Sequence, residues 1–401
     1  MDFRLTPEEE ALRKEFNDFF KAEMKYAPPE WGTSMEAIFG LDACWEFHRK
    51  LARKLAAKGW ISRPWPKEYG GQDASLVEQF IFSDVMGYNR GAGVDHWGIT
   101  LLAPTLLVSA NEEQKREHLP PIARAERFWT QLWSEPSAGS DLASLTTRAV
   151  RAVRDGDDYI VNGQKTWSSG AHRADWGFLL ARTNPEEKRS RGLSFFLVDM
   201  KTPGLTIKPI LSMDGAHLFN EVFLDDVRVP ARNMVGEENQ GWLASQMTSN
   251  FERSMIALFS YLKRELEELV EFCQETKRDG KILGENALVR HRLAQMAVDI
   301  NVGRAFSYFV LWNQLKGGLV MAAPLAASAK VLATETVQRF TFSAGQIIGL
   351  YSQVKESRWA PLKGRYEKEY QQCLGLNMAG GTSEIMRNLV CAMGLGLPRS
   401  W

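Results

Sequence analysis

Apolar positions along the chain change period twice. At the N-terminus, Thr6-Pro7-Glu8-Glu9 offers a capping hydroxyl, a first-turn proline and a reciprocal glutamate. Leu12, Phe16, Phe19 and Phe20 then recur on one helical face. Segments 40–58, 74–88 and 97–109 repeat the helical pattern, and Pro120-Pro121 marks a break soon afterwards. Residues 1–128 therefore predict an N-terminal helical domain. The period next shortens to two. Asp155-Gly156-Asp157 and Asn162-Gly163 read as tight turns flanking Tyr159-Ile160-Val161, followed by Phe178-Leu179-Leu180, Leu193 to Val198 and Glu221 to Leu224. Pro203-Gly204 and Val229-Pro230 fall between these runs, so residues 129–238 predict a small middle β domain, barrel-like or sandwich-like. From Gly241 the helical period returns, with Phe251, Met255, Leu258, Leu262, Leu266 and Leu269 on one stripe. Segments 286–315, 323–349 and 382–395 continue it, and Lys277-Arg278-Asp279-Gly280 is the first breaker. Residues 239–401 predict a helical bundle, which makes the whole an α+β multidomain chain.

Composition narrows the functional classes. The 401 residues carry 49 Lys+Arg against 49 Asp+Glu, so no bulk field holds a nucleic-acid backbone or an anionic membrane. The longest nearly apolar stretches, 99–110 and 319–329, contain proline and fall short of the roughly 20 residues that span a bilayer. No basic start and apolar run precede the first helix, which gives the expectation of a cytoplasmic chain. The four cysteines are scattered without a CxxC, and the six histidines never share the i, i+4 spacing that aims two imidazoles at one metal, so no metal is expected. GxGxxG, GxxxxGK[ST] and GxSxG are all absent, which removes the support for a Rossmann site, a P-loop or a hydrolase elbow.

One run is specific. Trp129-Thr130-Gln131-Leu132-Trp133-Ser134-Glu135-Pro136-Ser137-Ala138-Gly139-Ser140-Asp141 resembles the flavin-contact signature of the acyl-CoA dehydrogenase family. Thr147-x-Ala149, Gly156-Asp157-x-Tyr159, Asn162-Gly163-x-Lys165-x-Trp167, Phe219-x-Glu221-Val222-Phe223 and Gly380-Gly381-Thr382-Ser383-Glu384-Ile385-x-Arg387 follow in that family's order. Its fold has the same succession of a helical domain, a β domain and a C-terminal four-helix bundle.

The resemblance implies an FAD-dependent α,β-desaturation of an acyl-CoA thioester. A carboxylate takes the α proton, the β hydride goes to flavin N5, and electrons pass to electron-transfer flavoprotein. Such α protons need preorganised donors at the developing enolate oxygen, and one of these is implied to be the backbone N–H at Gly380. By the same resemblance, Gln131, Trp133 and Ser134 lie along the isoalloxazine, Trp167 stacks on it and Ser169 donates toward it. Serine replaces the usual threonine at both hydroxyl positions. Ser140 is placed at the acyl-CoA. Arg278 matches an arginine that reaches the FAD phosphate from a neighbouring subunit, and Gly345 and Gln346 are candidates for another inter-subunit contact. Thr382 and Glu384 line the pyrophosphate and adenine end. Each residue also has a plainer reading, Arg278 as a cation at a helix C-terminus and Glu384 as a helix-start charge.

The position just before Gly-Thr, which carries the catalytic glutamate in medium-chain members, is Gly380 here. A second placement in the family, just before an arginine in the first helix of the C-terminal domain, matches Phe251-Glu252-Arg253. Glu252 is thus the candidate base, with Arg253 beside it at the substrate; a carboxylate at the edge of an apolar stripe can have the raised pKa of a general base. Asp95 is the alternative base, and its plainer reading is a helix N-cap. The family's usual assembly implies a homotetramer, with a heterotetramer as the alternative. A cofactor-binding partner subunit, an acyl-CoA oxidase and a desulfinase are the competing functions. Thirteen tryptophans and a base on the helix point to a bulky, branched or cyclic acyl group.

Overall fold

The capping box at the N-terminus forms as its sequence dictates: Thr6 accepts from Glu9 N and Glu9 returns a carboxylate to Thr6 N at 2.8 Å. The computed structural model describes residues 3–32, 37–151, 158–248 and 254–398. In chain order its helices are α1 (Pro7–Glu23), α2 (Ala37–Gly40), α3 (Asp42–Ala57), α4 (Leu76–Tyr88), α5 (Ala103–Ser109), α6 (Glu112–Ala123), α7 (Gly241–Thr248), α8 (Ile256–Glu275), α9 (Ala287–Ile348), α10 (Arg365–Leu376) and α11 (Ser383–Leu389). The strands are β1 (Trp129–Leu132), β2 (Arg148–Arg151), β3 (Tyr159–Lys165), β4 (Trp176–Arg182), β5 (Leu193–Asp199), β6 (Leu205–Leu211), β7 (His217–Val229), β8 (Met234–Val235), β9 (Lys277–Arg278) and β10 (Lys281–Ile282). The chain forms two units, one of residues 1–35, 75–92 and 253–401, the other of 36–74 and 93–252.

In the first unit the apolar stripes of α8, α9 and α10 meet in one core, with Phe259, Leu262, Leu269, Ile300, Val337, Phe340 and Tyr366 among its members. Phe16 and Phe20 of α1 pack on Phe82 of α4 at 5.2 and 5.8 Å. Gly87 lets α4 touch α8, since a Cβ there would lie 2.1 Å from the Ala257 carbonyl oxygen. Inside this apolar frame sits an ionic cluster. Glu265 has no exposed surface, and Arg365 reaches it at 2.9 Å while also bonding Glu268, which Arg90 holds at 2.7 Å. One expectation is revised in this unit. Segments 286–315 and 323–349 are one 62-residue helix, with Pro324 inside it. The proline removes one ladder hydrogen bond, yet Ala326, Ala327 and Ala329 are buried directly after it, and that packing keeps the helix going. The breaker at 277–280 is a small hairpin, β9 on β10, turned by Asp279 and Gly280 at φ +52° and +77°.

In the second unit an eight-stranded mixed sheet runs β6-β7-β3-β2-β4-β5-β8, and β1 joins β4 in parallel. Alternate residues of these strands, Tyr159, Val161, Leu179, Phe196, Val222 and Val227 among them, share one core. Asn162-Gly163 is not a turn, as its sequence suggested. It lies within β3 at a register shift against β7, where Asn162 exchanges hydrogen bonds with Asp226 and a Cβ on Gly163 would meet the Thr147 hydroxyl at 2.4 Å. The turn expected at 155–157 lies outside the described residues. Among the described residues no helix is long and apolar enough to cross a membrane.

Candidate functional site

Five sequence-selected residues gather where β1 and β3 of the second unit end. The Thr166 N–H donates to the Ser134 carbonyl at 2.8 Å, so the chain after β1 and the chain after β3 run side by side. The next residue, Trp167, has φ +58° and is 58% exposed, with its ring edge-on to Phe219 at 5.6 Å. A bulky side chain in the left-handed region costs on the order of 1–3 kcal/mol and persists only where its surroundings enforce it. Here the enforcement is visible: Thr130 Oγ1 donates to the Ser169 carbonyl, Asn220 Nδ2 donates to the Ser168 carbonyl, and Ser168 N–H returns to the Asn220 carbonyl. The result is an aromatic face held open to solvent beside a half-buried Ser134 whose hydroxyl makes no hydrogen bond among the described residues. Ser169 is half-buried, its hydroxyl 3.4 Å from the Trp167 carbonyl. Gln131 is half-buried on β1, in register with Phe178. Trp133 points elsewhere: only 8% exposed, it packs edge-on to Phe178 and Phe195 at 5.8 and 6.4 Å, and its indole N–H has no partner among the described residues. Ser140 is exposed, just past the turn in which Glu135 and Ala138 exchange backbone hydrogen bonds.

The sequence did not single out the residues that hold this arrangement. Asn220 is fully buried; its amide also donates toward His172 Nδ1 at 3.2 Å, and its Oδ1 lies 2.8 Å from His217 Nε2. His172 and His217 stack at 3.8 Å, and His172 Nε2 lies 3.0 Å from the Phe39 carbonyl, which requires the neutral tautomer protonated at Nε2. Next to Ser134 in the chain, Glu135 pairs with Lys165 at 2.9 Å, both buried. Lys165 and Glu135 stood inside the quoted motifs with no role assigned to them, and the only sequence signal for Asn220 was its adjacency to Phe219.

Asp95 caps the π-helical stretch His96–Leu102 by accepting from Trp97 N at 3.1 Å, and it also accepts from Trp129 N at 2.9 Å. Burial pushes its carboxyl up to about 7, against the pull of these backbone donors and of His96. The N-cap anticipated from sequence is therefore present, and the same carboxylate ties the helix start to β1.

In the first unit the remaining candidates fall in two places. Gly380 and Gly381 take φ +64° and +91° in the loop before α11, where a Cβ on Gly380 would meet nothing within 4 Å among the described residues. Thr382 caps α11 by accepting from Ile385 N, and Glu384 sits in its first turn, where its own backbone N–H and the Thr382 hydroxyl hold its carboxyl below the usual value. The second place is the C-terminal end of α9. Arg278 Nη2 donates to the Ile347 and Ile348 carbonyls at 2.9 and 2.7 Å, within a few residues of Gly345 and the exposed Gln346. The cation at a helix C-terminus is thus realised, and it brings three sequence candidates together. Glu252 and Arg253 lie outside the described residues.

Comparison with known proteins gives these features a common frame. Residues 6–126, 130–227 and 239–395 match, in turn, the N-terminal, middle and C-terminal domains of acyl-CoA dehydrogenase. Acyl-CoA dehydrogenase FadE26 of Mycobacterium tuberculosis is 35% identical, with each chain fully covered, and FadE29 of the same organism is 33% identical over 98% of each. Among solved structures, one described as the Tcur3481-Tcur3483 steroid ACAD is 31% identical with a TM-score of 0.87, and the ChsE4-ChsE5 complex from Mycobacterium tuberculosis is 35% identical, also at 0.87, both covering 100% of each chain. The chain belongs to the acyl-CoA dehydrogenase family, and is an oxidoreductase and a flavoprotein of acyl-CoA oxidation.

Proposed function

We propose that this chain desaturates an acyl-CoA thioester between the α and β carbons, with FAD as the flavin and Glu252 as the base. The observation that carries the reading is the strained, exposed Trp167, held by the hydrogen-bonded carbonyls of the two serines that follow it. The local residues suit a flavin: an open aromatic face, the unengaged Ser134 hydroxyl, and a buried Ser168 Oγ without a partner among the described residues. A bound flavin supplies the acceptor for the β hydride.

The chain's own residues do the rest. Glu252 removes the α proton, and the Gly380 N–H donates to the thioester carbonyl as negative charge grows there. Arg278 keeps Nε and Nη1 without hydrogen bonds among the described residues, which suits a phosphate contact made across a subunit boundary. Electrons leave to electron-transfer flavoprotein. The substrate is a bulky ring-bearing acyl-CoA; the similarity to a steroid acyl-CoA dehydrogenase supports this. Pairing with a second chain of the family is favoured over a homotetramer, because the solved relatives named above are described by two-chain names.

The test is anaerobic. Purified holoprotein, wild type and Glu252→Gln, is titrated with straight, branched and ring-bearing acyl-CoA thioesters while the oxidised flavin band is followed. Bleaching by ring-bearing thioesters in wild type alone supports the reading, and equal bleaching in Glu252→Gln removes Glu252 from the reaction.

A further inference from the structure

The loop that carries Gly380 is shaped by a lysine from another helix. Lys330 of α9, only 5% exposed, donates from Nζ to the Asn377 carbonyl at 3.1 Å and to the Gly381 carbonyl at 2.8 Å, the two ends of a five-residue loop. Burying an ammonium is expensive unless it is well bonded, so this placement is a designed feature of the fold. The loop has little else to define it. Asn377 Oδ1 and Ser383 Oγ are buried without partners among the described residues, and the backbone contributes the N–H groups of Asn377, Met378 and Ala379 to the Gly375 carbonyl and that of Ser383 to the Asn377 carbonyl. Gly380 and Gly381 both sit at positive φ, where glycine is free to move over a wide basin. Between the two stapled carbonyls, the Gly380 N–H makes no hydrogen bond among the described residues.

We propose that Lys330 is a positioning residue of the reaction, stapling the Asn377 and Gly381 carbonyls so that the intervening Gly380 N–H is fixed as the donor to the thioester carbonyl. The inference rests on the reading of Gly380 given above. Its physical content is preorganisation: a donor on a diglycine loop is worth little unless its direction is set before charge develops. The staple also places a positive charge one peptide away from that donor.

The test uses holoprotein and an arylacryloyl-CoA, whose ultraviolet band shifts to the red when its thioester carbonyl is polarised; its binding is measured separately by equilibrium dialysis. Wild type should bind it with a red shift. Lys330→Met should keep wild-type flavin content and bind the probe, lose most of the shift, and show kcat lower by about ten-fold or more with KM changed far less. Lys330→Gln, which can still reach one carbonyl, should give an intermediate shift. A full shift in Lys330→Met overturns the proposal. So does loss of folded protein in both variants, which would assign the lysine to the fold. A wild type that binds the probe without any shift fails differently, because it removes the Gly380 donor itself.

Discussion

Lys165 and Glu135 form an ion pair with almost no exposed side-chain surface, 2.9 Å apart, Glu135 being the residue after Ser134. The lysine also donates to the Trp133 carbonyl at 3.1 Å, and the glutamate accepts from Thr146 N, Thr146 Oγ1 and Thr147 N. Burial alone would raise the glutamate, but Lys165 and these donors outweigh it and hold the carboxyl down to about 2; burial draws the ammonium down to about 8. Such a pair contributes geometry more than net stability, because desolvation offsets its attraction.

Removing one partner should therefore be far worse than removing both. Lys165→Met leaves Glu135 buried and charged, with an expected loss of about 3–5 kcal/mol in urea unfolding, whereas Lys165→Met with Glu135→Gln should lose much less. A lowered carboxyl favours the folded state above its unfolded value and loses that contribution in acid. Stability should thus fall as pH drops from about 4.5 toward 2, and Glu135→Gln should flatten that part of the profile.

Trp167 offers the opposite experiment. Its side chain is mostly exposed, so little burial is lost on replacing it, while its φ of +58° is one that glycine adopts without strain. Trp167→Gly should leave the apoprotein as stable as wild type or about 1 kcal/mol more stable. The same variant should retain flavin poorly through gel filtration. Equal flavin retention would deny the ring its role as a platform.

His172 and His217 give the platform a dependence on pH. Burial keeps His172 below the usual histidine value, with the Phe39 carbonyl opposing and His217 and Arg173 adding to the shift. The pair faces Asn220 and the Arg173–Asp42 ion pair. Protonation would turn Nδ1 of His172 into a donor aimed at the Asn220 amide, which itself donates to the Ser168 carbonyl. Because a depressed imidazole favours the folded form above its unfolded pKa, that contribution disappears as pH falls below about 6.5. Flavin fluorescence released from holoprotein should rise in that range, and His172→Gln should remove the step.

These residues show what a linear reading can see. Trp167, Ser134 and the Gly380-Gly381-Thr382 turn stood out because local motifs place special residue types at fixed spacing. The supporting roles did not, since Lys165, although inside a quoted motif, and Asn220 and Lys330 act on main-chain carbonyls 32, 52 and 51 residues away. A lysine in a helix or an asparagine in a strand looks like surface until the fold puts a carbonyl opposite it. Helical and strand periods located the zones, but they misjudged two punctuation marks. The gap expected between 315 and 323 is continuous helix, with buried alanines following Pro324, and Asn162-Gly163 formed a bulge because Asp226 lay opposite. Arg278 was legible in both of its readings, and only its role at the end of α9 is on view in a single chain.

Asp95 provides the sharpest separation of structure from chemistry. As the alternative base it should be indispensable to turnover. As a cap and tether it accepts from Trp97 N and Trp129 N, and its loss should register in folding. Burial raises its carboxyl to about 7, so the folded state holds a proton there that the unfolded chain releases near 4. Stability should accordingly be greatest below pH 4 on account of this group and decline as pH rises toward 7. Asp95→Asn keeps an oxygen for one of the two backbone donors and cannot ionise, so the decline between pH 4 and 7 should vanish from its urea-unfolding profile. Substrate-dependent flavin bleaching in the same variant should stay within a few-fold of wild type; a collapse of bleaching with the unfolding profile unchanged would transfer the proton abstraction from Glu252 to Asp95.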